Sequence, residues 1–326
     1  MQANSKKCVV SGNAPSLKEI DYKRLPFVYD LFRCNQFYLE DKYYLGNKIK
    51  ATTFAIQMFF EQIYTMLQLN RKQEYNIESV FIPSPYSIIP KNKRELELET
   101  LAKMFDNNVF IHNHNSKYYK NINTFIEFIK LQQIYFFKNP TSAILLCGIA
   151  VAMGYREIYL AGIDFYEGKT YAFDTLKNNI ITLMPEMQYH IAQEGLEKPK
   201  DALTYHSRQA DLEALEFLQK HYNVCFYTLC PNSPMANYFP LAPITNNTFT
   251  PIAKPKDCIQ DILIPPEYAR ERFKILDNQP QELLKNEQPQ ENRRNRIKRN
   301  IYFRIFSDFL RLPSDISYYF KNSKKG

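Results

Sequence analysis

From Lys6 to Leu229, short apolar runs alternate with longer amphipathic stretches. The run Lys6–Ser11 predicts a buried strand, and Gly12-Asn13-Ala14-Pro15 a tight turn after it. Ser16 with Glu19 fits a capping box, which predicts a helix with Ser16 as its N-cap. Tyr29–Arg33 reads as a second strand, closed by the polar loop Cys34-Asn35-Gln36. Gln57–Leu69 is helical in pattern, Ser79–Ile82 a strand, 95–105 helical, and Val109–Ile111 a short strand. A long amphipathic helix covers 122–137. Asn139-Pro140-Thr141-Ser142 is a helix-start signal before the apolar run Ala143–Met153, which predicts a buried helix. Glu157–Ala161 is an apolar strand ending at Gly162, Asp211–Tyr222 a helix and Val224–Leu229 a strand.

Strands alternating with helices predict an α/β fold: a Rossmann-like, mostly parallel sheet with helices on both faces. Strand, glycine turn and capped helix at the start match the opening of a doubly wound nucleotide-binding sheet. Ligands on such sheets collect at the carboxyl ends of the strands. That places the loops 12–16, 34–36, 139–142 and 162–171 at a binding site.

The remaining pattern is different. Residues 277–292 are polar and rich in Pro and Gln, as in a flexible linker. Beyond them Ile297, Ile301, Ile305 and Phe309 recur at i+4 steps, with Arg304, Ser307, Asp308 and Arg311 opposite. This is a basic amphipathic helix suited to an anionic membrane surface. Residues 293–326 hold ten Lys and Arg against two Asp, which accounts for the whole formal net charge of +8. A core without a basic, aromatic-interleaved face argues against a nucleic-acid partner.

At 326 residues, with 45% hydrophobic and 23% charged residues, the chain is globular in character and long enough for one large α/β domain with an insertion or for two modest domains. The six cysteines form no C-x-x-C pair or zinc spacing, which fits a reducing compartment. No signal peptide is expected, and no window is apolar enough to span a bilayer. Aromatics reach 15% without any Trp, a richness that serves packing as readily as sugar or nucleotide binding.

Several strings carry a resemblance: SGNAPSLKEIDYKRLP, FRCNQFYLEDKYYLG, EIYLAGIDFYEG, YAFDT, EALEFL and LCPNSPMANYFPLAP, with FLRLPSDISYYF in the tail. In this order they resemble the family 42 glycosyltransferases, the bacterial sialyltransferases that decorate lipooligosaccharide. The resemblance implies a nucleotide-sugar-binding domain over 1–164 and 206–276, a lid over 165–205, and a linker and membrane-associating tail over 277–326. It implies transfer of sialic acid from its cytidine monophosphate donor (CMP-Neu5Ac) to a terminal galactose of a lipooligosaccharide or lipopolysaccharide, with inversion and without a metal cofactor. The chain contains no Asp-x-Asp pair, and the His-x-His of His112 and His114 has no acidic neighbour in sequence. A homotetramer at the cytoplasmic face of the inner membrane is the implied setting.

Carried over by position, the family's general base falls on His206. An imidazole suits that task, because its ordinary pKa lets it accept a hydroxyl proton near neutrality. Tyr166 and Tyr171 match the tyrosines that hydrogen-bond the departing phosphate; packing of the lid is the lesser alternative for these aromatics. Gly12, Asn13 and Ser16 would hold the donor at the first turn, where Ser16 also reads as a plain helix cap. Asn35 and Gln36 would contact nucleotide or sugar, with Thr141, Ser142 and Thr170 assisting. Two acceptor-side positions depart from the family: Ala55 stands where an Asn is expected, and Asn139, followed by Pro140, where an Arg is expected. Ala55 favours a single α2,3 transfer. A transferase for another CMP-activated acid sugar, or a non-catalytic nucleotide- or glycan-binding relative, remains an alternative.

Overall fold

The computed structural model describes residues 6–54, 59–82, 110–112, 116–165, 171–173 and 206–263. Among the described residues seven strands build the main sheet: β1 (Lys7–Ser11), β2 (Asp30–Cys34), β4 (Lys48–Thr53), β5 (Asn76–Phe81), β6 (Phe110–His112), β7 (Glu157–Ala161) and β8 (Cys225–Thr228). They lie in the order β6-β5-β4-β2-β1-β7-β8, and every pairing is parallel. From β1 the chain first moves outward through β2, β4, β5 and β6, then returns to lay β7 on the other side of β1. The order therefore reverses between β1 and β7, where a doubly wound sheet opens its ligand crevice.

The period-two alternation of the strands divides the core. Val9, Leu31, Ile49 and Ile77 pack with Ile63, Met66 and Leu67 of helix α1 (Phe59–Arg71) on one face. Cys8, Val10, Phe32 and Ala51 point to the other face. There they meet α4 (Ser142–Ala152) and α5 (Arg208–Tyr222), with α2 (Lys117–Asn121) and α3 (Asn123–Phe136) outside them. Nearly every side chain of α4 is buried, as its continuous apolar run requires. Each large apolar side chain so enclosed contributes about 1.5–3 kcal/mol. The helices-on-both-faces architecture is therefore present.

Two features were not visible in the pattern. Strand β4 (KIKATT) has only one large apolar residue, yet Thr52 and Thr53 are fully buried in mid-sheet. Thr53 Oγ1 donates to the Phe81 carbonyl at 2.8 Å, so this buried hydroxyl is satisfied within the sheet. Secondly, β3 (Lys42–Tyr43) pairs antiparallel with β9 (Ile252–Ala253), which brings the chain after β8 back across the first half. There Glu74 accepts from the Ile259 amide at 2.9 Å, and Lys254 donates to the Tyr38 carbonyl.

The chain divides into two compact units, Met1–Ala269 and Arg270–Gly326. The second, with the expected linker and amphipathic tail helix, lies outside the described residues, as does the helix expected at 95–105. Among the described residues no helix is long and apolar enough to cross a membrane.

Candidate active site

The carboxyl ends of β1 and β7 meet through two glycines. Gly12 N–H donates to Ala161 O and Ala14 N–H to Gly162 O, each at 3.0 Å. A Cβ on Gly12 would stand 2.4 Å from Gly162 O, and Gly162 itself has φ +60°. Only glycine permits both the approach and the left-handed backbone.

Asn13 follows at the mouth of this junction, and its side chain is fixed on both ends. Nδ2 donates to Cys34 O at 3.0 Å, and Oδ1 accepts from Arg33 at 3.4 Å. Arg33 is wholly buried, paired with the equally buried Glu40 at 2.9 Å and lying over the Phe37 ring at 5.4 Å. Glu40 also accepts from the Tyr75 hydroxyl at 2.8 Å. Burial raises the Glu40 carboxyl, while Arg33 and the Tyr75 hydroxyl pull it back. A buried positive charge thus stands directly behind Asn13. Beside it, Asn35 takes the left-handed backbone (φ 54°) that Asn tolerates, its amide bonded to Thr53 O at 2.8 Å. Gln36 precedes a 3₁₀ turn, Phe37–Leu39.

The capping box expected at Ser16 is not formed. The turn is a 3₁₀ helix, Pro15–Glu19, whose N-cap is Ala14, because Pro15 takes the first helical position. Ser16 N–H is instead satisfied from across the sheet: Asp164 Oδ2 accepts it at 3.0 Å, while Asp164 Oδ1 accepts from Ser233 Oγ at 3.0 Å. The Ser16 hydroxyl is buried beside the Cys230 thiol.

His206 stands immediately before α5, whose N-cap Ser207 accepts from Ala210 N–H at 3.1 Å. His206 Nδ1 lies 2.9 Å from the Asn139 carbonyl oxygen. A carbonyl can only accept, so in the neutral ring Nδ1 carries the hydrogen and Nε2 keeps the basic lone pair. Two residues on, Thr141 N–H donates to Asp211 Oδ1 at 2.7 Å, and Lys138 pairs with Glu213 at 3.1 Å. Thr141 is the N-cap of α4 and Ser142 its first residue. Burial pushes the Asp211 carboxyl up to about 7, against the opposing pull of the Thr141 amide. Tyr171 is partly exposed and stacks on Phe173, and the next amide, Ala172 N–H, donates to Asn13 O at 2.8 Å.

Comparison with known proteins decides the family. Residues 6–323 match the family model described as CST-I, alpha-2,3-sialyltransferase. The chain belongs to the CST-I alpha-2,3-sialyltransferase family. It is 38% identical to the monofunctional alpha-2,3-sialyltransferase Cst-I from Campylobacter jejuni, covering 85% of this chain and 96% of that one, with a TM-score of 0.67. It is 40% identical to the Campylobacter jejuni sialyltransferase CstII solved with the substrate analogue CMP-3FNeuAc, over 83% and 98% of the two chains, with a TM-score of 0.68. A structure of CST-II with a trisaccharide acceptor and CMP shows 40% identity over 82% and 99%, with a TM-score of 0.66.

This CST-I family enzyme is a sialyltransferase, and its geometry sorts the expected residues. Gly12, Asn13 and Ser16 gather at the β1–β7 junction, Tyr171 is tied to them through Ala172, and Asn35 and Gln36 follow the adjoining strand end. His206, Asn139, Thr141 and Ser142 form a second group where α4 and α5 begin. Tyr166, Thr170 and Ala55 lie outside the described residues. The His206 contact uses the main chain of Asn139, so the exchange of Arg for Asn there leaves it intact. Arg33, Glu40, Asp164 and Asp211 carried no separate signal. The first three sit inside the family strings, but nothing local marks them as buried.

Proposed function

We propose that this chain transfers N-acetylneuraminic acid from CMP-Neu5Ac to the 3-hydroxyl of a terminal galactose on a lipooligosaccharide or lipopolysaccharide, with inversion. The observation that carries this reading is the 2.9 Å contact between His206 Nδ1 and Asn139 O, which leaves Nε2 as the proton acceptor. His206 Nε2 takes the galactose hydroxyl proton as that oxygen bonds the anomeric carbon. The bond from that carbon to the phosphate oxygen breaks, and CMP departs with the electron pair. Tyr166 and Tyr171 would donate hydrogen bonds to the developing phosphate charge. Gly12, Asn13, Ser16, Asn35, Gln36, Thr141, Ser142 and Thr170 would hold the donor, and no metal cofactor is needed in this scheme. The support is that CMP-3FNeuAc and a trisaccharide acceptor are bound by relatives of 40% identity. Ala55 and the monofunctional relative favour a single α2,3 linkage. The basic tail would hold a tetramer of this enzyme at the cytoplasmic face of the inner membrane.

Replacing His206 with Ala tests the base. Turnover with CMP-Neu5Ac and a galactose-terminated acceptor should fall by about 10²–10⁴, with CMP binding retained and an α2,3 product identified for the native enzyme. Near-native turnover in the variant overturns the assignment.

A further inference from the structure

The turn Asn139-Pro140-Thr141 is held by the beginning of α5 at two points. His206 takes the carbonyl of its first residue at 2.9 Å, and Asp211 takes the amide of its third at 2.7 Å. Between them Pro140 is buried and has a fixed φ, so the turn moves as one piece. Wherever Asp211 holds Thr141, the carbonyl that fixes the His206 ring follows.

Asp211 is an unusual residue for this place. An acid in the first turn of a helix ordinarily lies in solvent and faces the helix dipole. Here the side chain is completely buried, and beyond the Thr141 amide it has only the Thr141 hydroxyl to meet. Burying a carboxyl is unfavourable, and an apolar residue would pack more cheaply. From the neighbouring helix the titratable group facing it is the Cys147 thiol, itself raised by burial. The charged pair Lys138 and Glu213 joins the same two segments and is partly exposed.

We propose that Asp211 is the positioning residue for His206, fixing the 139–141 turn so that its carbonyl holds the imidazole in one tautomer and one orientation. This rests on the reading of His206 as the general base. Small misplacements of a reacting group cost rate far more than binding, by up to about 100-fold per ångström. The loss should therefore fall on kcat and not on substrate affinity.

The experiment uses the full chain with Asp211→Ala, Asp211→Asn, His206→Ala and the Ala/Ala double variant. Asp211→Ala should lower kcat about 10- to 100-fold while the KM values for donor and acceptor stay near native. Asp211→Asn keeps an oxygen acceptor for the Thr141 amide and should restore most of kcat. With ¹⁵N-labelled histidine, the His206 resonances, assigned by their loss in His206→Ala, should show the Nδ1-protonated form in the native and Asn variants and a tautomer mixture in the Ala variant. In the His206→Ala background Asp211→Ala should cost little more. If Asp211→Ala does not fold, Asp211→Ser, whose hydroxyl is too short to reach the amide, carries the same expectations. Native tautomer and kcat in the Ala or Ser variant, or a full additional loss in the double variant, overturn the positioning role. Near-native turnover in His206→Ala would instead overturn the base reading beneath it.

Discussion

Gly12 and Gly162 touch backbone to backbone, so closely that a Cβ on Gly12 would stand 2.4 Å from Gly162 O. The obstacle is main chain, which cannot swing aside as a side chain could. Gly12→Ala must therefore part the two strand ends, at a cost of about 1–3 kcal/mol. A lowered melting temperature with weakened CMP binding in a calorimetric titration is expected; native affinity would mean that the junction does not shape the donor site.

Arg33 and Glu40 form a fully buried ion pair whose cation also holds Asn13. Glu40→Ala leaves that cation buried and uncompensated, which costs about 3–5 kcal/mol. Urea denaturation should show the loss. CMP affinity should fall with it, because Asn13 loses its anchored partner.

Asp211 gives the stability of this enzyme a direction with pH. Its carboxyl ionises near 3.8 when unfolded and at about 7 in the fold. Between these values the native state keeps a proton that the unfolded chain has released, so stability falls as pH rises through the window. The loss is complete above about 7 and amounts to roughly 4 kcal/mol at most. Denaturation of the native enzyme and of Asp211→Asn at pH 5 and pH 8 isolates it: the native protein should lose more stability than the variant on going to pH 8.

Truncation after Leu276 removes the linker and all ten basic residues of 293–326. The shortened enzyme should keep transfer to a soluble acceptor and lose sedimentation with vesicles of anionic lipid. Loss of activity would make the tail part of the catalytic unit.

The fold was legible wherever local pattern and burial agree. The β1, β2, β7 and β8 runs, the buried α4 and the amphipathic α5 all lie where period and apolarity put them. Strand β4 was hidden because two of its buried residues, Thr52 and Thr53, are polar, and a hydrophobic pattern does not count them. Ser16 was misread for a related reason. Its spacing to Glu19 is that of a capping box, but the group that satisfies its amide is Asp164, 148 positions away. The family resemblance puts the expected base at His206, whereas its contact with Asn139 spans 67 positions and leaves no local trace. Asp211 looked like an ordinary acid at a helix start for the same reason.

Asp164 joins Ser16 near the beginning of the chain to Ser233 near the end of the described domain. The floor of the proposed donor site is thus assembled from the first, seventh and eighth strands' loops at once. During synthesis a ribosome that has made the first two hundred residues has made most of the sheet but only part of that floor. Contacts of such long span are also the slow ones to form. Nascent chains should accordingly acquire the ability to retain CMP late and abruptly, when the segment around Ser233 has emerged.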